Sequence, residues 1–334
     1  MAPRARLDYA KAAGVLHDPA KLPAGLFRYR DRWVHNAGME TMLEHMCEAV
    51  ERHAAHPRQE TALPGLTLYR VNQAAHPSHV FYRPRMVVIL RGSKTIAAGD
   101  APFLADTSTF LLVTVDLPVC AQVFLDAEGR SHLAFSLDID RSALAEAMSR
   151  LPLKEAPAGA PAGAATAAMT PDLLEPFARL LDLLDHPDDI PFVAPLIVQE
   201  IYYRLFRSGL GEPLRQLAQN SSHVAQVGRA TQWIKANYAA PMSIDALADV
   251  AGMSVTSFHR HFKAITLMTP VQYRMRLRLQ EARKLLLAEP RSAGAVAAAV
   301  GYDSQSQFTR DYKLMFGAPP ATDTSRLTAA TPHL

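Results

Sequence analysis

Two stretches of this chain are written to one pattern, fifty residues apart. FHRHFKAITLMTP (Phe258–Pro270) and FTRDYKLMFGAPP (Phe308–Pro320) share Phe at the start, Arg two residues on, an aromatic four on, Lys five on and Pro twelve on. A chain that repeats a helix together with its turn is committed to two copies of one supersecondary unit. The flanking residues define the unit. SIDALADVAGMS opens with Ser243 as a helix N-cap, carries Asp245 in the first turn and stops at Gly252. Ser254 then caps a second helix over 255–266. Two short helices joined by a tight Gly-containing turn make a helix-turn-helix, here 243–266, with the small Ala248 and Ala251 where the helices cross.

Thr269 and Gln272 form a capping box with Pro270 at the first helical position, which opens a long connecting helix over 270–288 that Pro290 ends. The pattern returns over 292–316. Ser292 starts a short helix closed by Gly301, Ser304 and Gln307 cap a last helix, and that helix stops at Phe316 and Gly317. A further helix at about 224–238 precedes the whole arrangement.

Helical periodicity, about 100° per residue, sorts the two repeated helices into faces. Val255, Phe258 and Phe262 fall on a buried side; Thr256, Arg260 and Lys263 lie opposite, with His259 at the edge. In the second copy Phe308 and Tyr312 point inward, and Ser306, Arg310 and Lys313 outward, beside Gln305 and Gln307. A small hydroxyl with an Arg on a helix suits the DNA major groove, where Arg pairs bidentately with guanine and a short side chain permits close approach. Lys263 and Lys313, further along, suit phosphate, as do Ser254 and Ser304 at the helix starts. For one helix alone, a solvated polar face of a bundle explains the same residues, and either Arg could hold an acid or a phosphate; two matched copies weigh against the plainer reading. The connecting helix carries Arg274, Arg276, Arg278, Arg283 and Lys284, expected mostly at the solvated surface with one or two meeting phosphate.

Charge agrees. The 334-residue chain has a formal charge of only +3, yet from Ala225 onward 13 Lys and Arg stand against 7 Asp and Glu, and the first 224 residues are net acidic. A basic module on a mildly acidic one fits a polyanion partner for the basic part. Cys47 and Cys120 are too few and too far apart for a disulfide framework or zinc motif. No apolar run reaches the roughly 20 residues that span a bilayer, and no secretory leader is evident, so a cytoplasmic location with no membrane partner is expected.

The first half reads differently. Residues 1–35 are an extension without a structural assignment. GMETMLEHMCEAVERHA (38–54) is an amphipathic helix. From about 63 to 137, LTLYRV, MVVILR, TFLLVTV, VCAQVFL and HLAFSL are short β-branched and aromatic runs punctuated by Gly, Pro and Asp, which indicates a β-sandwich or small barrel. Residues 141–150 look helical. KEAPAGAPAGAATAAM (154–169) reads as a linker-like loop, and two amphipathic helices follow within 172–208, the second with Leu196, Ile197, Ile201, Leu205 and Phe206 as its apolar residues.

IDALADVAGMSVTSFHRHFK, TPVQYRMRLRLQEARKLL and VGYDSQSQFTRDYKLMFGAPP together resemble the DNA-binding domain of AraC/XylS-type transcription regulators, over roughly 224–322. RPRMVVILRGSKTIAAGD and FLLVTVDLPV resemble, less specifically, the cupin-like sensor domain of the same family. The Ala-rich helix before the second turn departs from the family pattern, in which larger or charged residues are usual. The resemblance implies an α+β chain: a cupin-like β-barrel or sandwich with flanking helices over 36–215, serving sensing and dimerisation, and an all-α DNA-binding domain over 222–322. It implies base contacts from Thr256, His259, Arg260, Ser306, Gln307 and Arg310, with two helix-turn-helix units entering successive major-groove segments.

It further implies a non-enzymatic, effector-responsive regulator, most naturally an activator. Its partners would be double-stranded DNA, a small apolar or aromatic effector, RNA polymerase and a second copy of the chain. No residue pattern marks the effector pocket. His76, His79 and His132 could ligate a metal, but no carboxylate follows at cupin spacing, so no metal, other cofactor or catalytic residue is expected. Two alternatives stand beside this reading: a metal-dependent cupin enzyme fused to a DNA-binding domain, and a regulator whose β domain serves only assembly.

Overall fold

A computed structural model describes residues 37–73, 77–99, 101–151, 163–288 and 291–330. The 1–35 extension, His76, most of the 154–169 loop and Pro290 lie outside the described residues. In chain order the elements are α1 (Ala37–His53), β1 (Arg58–Glu60), β2 (Leu66–Val71), β3 (Ser78–Tyr82), β4 (Arg85–Arg91), β5 (Ser93–Ala98), β6 (Ala101–Asp106), β7 (Thr109–Val113), β8 (Leu117–Phe124), β9 (His132–Asp138), α2 (Arg141–Ser149), β10 (Ala164–Ala168), α3 (Pro171–Asp182), α4 (Ile190–Phe206) and α5 (Gly211–Ala218). Seven helices follow: α6 (His223–Ala236), α7 (Ile244–Ala251), α8 (Val255–Thr266), α9 (Pro270–Ala288), α10 (Ala293–Ala299), α11 (Gln305–Phe316) and α12 (Pro320–Ala330).

The strands form two antiparallel sheets, ordered β1-β2-β9-β4-β7-β10 and β3-β8-β5-β6. They make an open sandwich rather than a closed barrel. One face of the larger sheet packs under α1 and α3, where Phe135 meets Phe177 at 5.3 Å between ring centroids. Strand alternation then turns Tyr69, Arg85 and Ser136 toward the smaller sheet. The 154–169 loop expectation needs correction at its end: Ala164–Ala168 is a strand, paired with β7 from Ala164↔Val113 to Ala168↔Thr109. Alanine is poor at signalling a strand by itself; the paired edge of β7 supplies the partner.

The outer face of the smaller sheet carries His79 and Phe81, and α9 lies on it. Tyr273 is fully buried there, and its hydroxyl donates to the Asp116 carbonyl at 2.8 Å. Its ring meets Phe81 and Phe262 edge-on. Gln280 Nε2 donates to the Val80 carbonyl at 3.3 Å and Arg276 Nη2 to the Gly99 carbonyl at 3.4 Å. The turn after α8 docks on the same side: the Gly163 N–H donates to the Ile265 carbonyl at 3.0 Å. A Cβ on Gly99 would lie 2.2 Å from the Leu267 carbonyl, so only glycine permits this approach. Leu267 itself sits at φ 61, where the second copy has Gly317 at φ 78.

One apolar core runs through the sandwich, the flanking helices and the first helix-turn-helix as far as Leu277. A second, smaller core of Leu279, Ala282, Val296, Phe308 and Tyr312 holds the second unit. Tyr273→Phe should cost about 1–3 kcal/mol, because it strands the buried Asp116 carbonyl. Urea unfolding measures this, and an unchanged midpoint would show that the contact does not hold α9 on the sheet.

Candidate nucleic-acid interface

Each reading helix is started and stopped by its own sequence. Ser243 Oγ accepts from the Ala246 N–H, and Gly252 closes α7 in the left-handed conformation at φ 68. Ser254 Oγ then accepts from the Ser257 N–H at 3.4 Å to start α8, and Ser304 Oγ accepts from the Gln307 N–H at 3.4 Å to start α11. Both caps use the oxygen as acceptor and leave the hydroxyl hydrogen available to a phosphate. The Thr269–Gln272 box is fully formed at the head of α9, with the Thr269 N–H donating to Gln272 Oε1 and the Gln272 N–H to Thr269 Oγ1.

Phe258, Phe262, Phe308 and Tyr312 are all fully buried, the first pair in the large core with Phe262 edge-on to Tyr273 of α9 and the second in the small core with Leu279 and Ala282 of α9, and this fixes the rotation of both helices. Thr256, His259, Arg260 and Lys263 are exposed on α8; Ser306, Gln307, Arg310 and Lys313 are exposed on α11. Val255 corrects the expected inner face: it is 39 % exposed, because the first helical residue overhangs the end of the core.

The connecting helix departs further from expectation. Arg276 is buried, and Arg274 and Arg278 reach the carbonyls of Tyr238, Ala239 and Ala240 just beyond the end of α6. Arg283 closes a bidentate pair with Asp323, Nε to Oδ2 at 2.8 Å and Nη2 to Oδ1 at 2.9 Å, while the Tyr312 hydroxyl donates to the same carboxylate. Asp323 is 1 % exposed and belongs to α12, a helix beyond the expected domain end at 322. Its sequence signal was Pro320, the counterpart fifty residues on of the Pro270 that opens α9. Only Lys284 in this group is surface-exposed, and it pairs with Glu281.

Beside Arg260 lies a feature that periodicity does not reveal. Arg260 Nη2 is 3.2 Å from His261 Nε2, and the His261 ring stacks on that of His223 with centroids 3.7 Å apart. Burial, then His223 and Arg260, push the His261 pKa down.

The β sandwich offers a second candidate region. Between the sheets, the Lys94 ammonium lies 5.6 Å and 5.4 Å from the Tyr69 and Tyr82 ring centroids. Arg85 pairs with Asp138 at 2.8 Å, and Tyr69 and Ser136 share a hydrogen bond; among the described residues the buried Tyr82 hydroxyl has no partner. A groove of about 610 Å³ also opens where the sandwich meets α6, lined by Arg83, Asp116, Asp138, Arg141, Gln232 and Lys235. Lys235 pairs with Asp116 across it at 3.4 Å, and burial raises the Asp116 pKa. Histidines 79 and 132 are not brought together. His79 packs edge-on against Phe316, while His132 is buried in the larger sheet. Among the described residues no group of three His, Cys, Asp or Glu could hold a metal, and no helix is long and apolar enough to cross a membrane.

Residues 62–212 match the AraC-type transcriptional regulator N-terminus, and residues 247–326 match a helix-turn-helix domain. The chain belongs to the AraC/XylS family. The transcriptional activator RhaS of Pectobacterium atrosepticum is 31% identical over 105 residues, covering 31% of this chain and 38% of that protein. RhaS of Escherichia coli O1:K1 / APEC is 28% identical over 138 residues, covering 41% and 48% respectively. The match thus spans less than half the length of these curated relatives. Among solved structures, an apo form of ToxT from Vibrio cholerae superposes with a TM-score of 0.52 at 8% identity, covering 80% of this chain and 99% of that one. At that identity the likeness is one of fold. Unsaturated-fatty-acid-bound ToxT gives 0.51 at 10% identity, covering 80% of this chain and 97% of that one.

Burial, with the Lys94 charge adding to it, pushes the His132 pKa from 6.5 down to about 4. The folded chain therefore binds fewer protons than the unfolded chain between those values, so stability is full above pH 6.5 and falls toward pH 4, with a slope approaching about 1.4 kcal/mol per pH unit. His132→Gln should remove this one-proton component from the pH dependence of urea midpoints; an unchanged acid limb would contradict it.

Proposed function

We propose that this AraC/XylS family member is a sequence-specific DNA-binding regulator whose α8 and α11 read successive major-groove segments of one duplex. The observation that carries the reading is the pair of exposed hydroxyl–Arg–Lys faces, each locked by two buried aromatics to the same connecting helix. Thr256, His259, Arg260, Ser306, Gln307 and Arg310 meet bases; Ser254, Lys263, Ser304 and Lys313 meet phosphate. The sensor and assembly part spans 36–215 and the DNA-binding part 222–322, extended here by α12. Activation through RNA polymerase in the cytoplasm, without a catalytic step, belongs to the same reading.

The effector belongs in the sandwich. ToxT, a protein of similar fold, is recorded with an unsaturated fatty acid. An apolar or aromatic body bearing one acidic group suits a Lys94 ammonium that sits beside two phenol rings and, among the described residues, pairs with no acid. A second copy covers the outer face of α4. Leu196 is 67% exposed, and with Phe192 and Tyr203 it forms an apolar stripe along that helix.

Gel-shift titrations on a duplex selected by the chain from a random library test the DNA reading. Arg260→Ala and Arg310→Ala should each cost about 1–3 kcal/mol and relax preference at one position, whereas Lys313→Ala should weaken all sequences alike and lower the salt slope by about 0.9. Unchanged base preference in both Arg variants would refute it. Light scattering should give a dimer that Leu196→Asp reduces to monomer. A carboxylate ligand that raises the melting temperature should lose that effect in Lys94→Met; a monomeric wild type, or full retention of the effect, would refute the respective assignment.

A further inference from the structure

Arginine has only donors, so the 3.2 Å contact between Arg260 Nη2 and His261 Nε2 requires the imidazole nitrogen to accept. His261 is therefore neutral here, with its proton on Nδ1. The ring is braced from the other side by His223, stacked at 3.7 Å and 16°. His223 is the first residue of α6, directly after the N-cap Ser222. The groups acting on His261 are His223 from α6 and Arg260 from its own helix; no carboxylate among the described residues on α6, α7 or α9 counters them. Arg260 is otherwise a long exposed side chain with many rotamers to lose on reaching a base.

We propose that His261, held against His223, is a positioning residue that aims the Arg260 guanidinium at its base, so that discrimination by the first reading helix weakens when His261 gains a proton. Only one nitrogen of the guanidinium is engaged by His261; the remaining N–H donors stay free to meet a base. Protonation converts Nε2 into a donor, breaks the hydrogen bond and sets two cations side by side. The depressed His261 titration keeps the device intact near neutrality. The second unit lacks it: position 311, the counterpart of 261, is Asp311, which accepts from the Tyr302 hydroxyl at 3.3 Å. The chain therefore carries its own internal control.

This inference rests on the reading of α8 as a base-reading helix, and the test separates the two. Discrimination is measured as the affinity ratio between the library-selected duplex and single-base variants, at pH 8 and pH 5.5. If Arg260→Ala leaves every ratio unchanged at pH 8, the reading of α8 itself fails. If it flattens one position, that position should lose discrimination on the order of tenfold in the wild type at pH 5.5, while the position assigned to Arg310 holds. His261→Gln, which keeps an acceptor near Nε2 without titrating, should hold the ratio at both pH values, and His261→Lys should be flattened at both. A wild-type ratio that does not change with pH, or a His261→Gln profile identical to a falling wild-type one, would overturn the positioning role. Because the readout is a ratio, the general gain in phosphate affinity as histidines charge cancels.

Discussion

Tyr273, Leu277, Leu279, Ala282 and Leu286 are buried positions of one uninterrupted helix, yet they belong to two different cores. The first two close the large core that runs back into the β sandwich; the others close the small core under α11. Both repeated helices take their orientation from the cores that α9 closes, because Phe258 and Phe262 of α8 and Phe308 and Tyr312 of α11 are fully buried in them. Close-packed interiors do not allow such keys to rotate without opening a cavity. The orientation of Arg260 and Arg310 thus follows from packing one layer beneath them.

The same helix links the two repeated units to the β sandwich. Tyr273, Arg276 and Gln280 bond to carbonyls of Asp116, Gly99 and Val80, and the close approach of Gly99 to Leu267 ties the end of α8 to the sandwich. A left-handed leucine is costly, and it occurs at the position where the second unit uses Gly317. The first unit is therefore a continuation of the sandwich's core, and the second is carried at the far end of α9. A change in the sandwich can act on the first unit through their shared core, and on the second through α9 and through the His79–Phe316 contact.

Much of this was readable along the chain because it is local. Helix starts at Ser243, Ser254, Ser292 and Ser304, the Thr269 box and the glycine stops at 252 and 317 are decided within four residues, and the structure realises each. The outward faces followed from a 3.6-residue period. What failed depends on neighbours remote in sequence. Ala164–Ala168 becomes a strand only because β7 offers an edge, and Arg274, Arg276, Arg278 and Arg283 look like solvated surface until carbonyls and Asp323 arrive from elsewhere. Leu196, an apolar residue of α4, faces outward, and the His223–His261 stack joins residues 38 positions apart. Periodicity cannot name a partner that lies on another element.

The claim that α9 sets the two reading helices as one rigid pair is tested most directly by the distance between them. Spin labels on Ala264→Cys and Leu314→Cys, exposed positions of α8 and α11 with no assigned DNA contact, with Cys47 and Cys120 replaced by alanine, should give a single narrow pulsed-EPR distance distribution. That distribution should stay in place when the library-selected duplex is added. A broad distribution in the free protein, or a new distance on binding, would contradict the account.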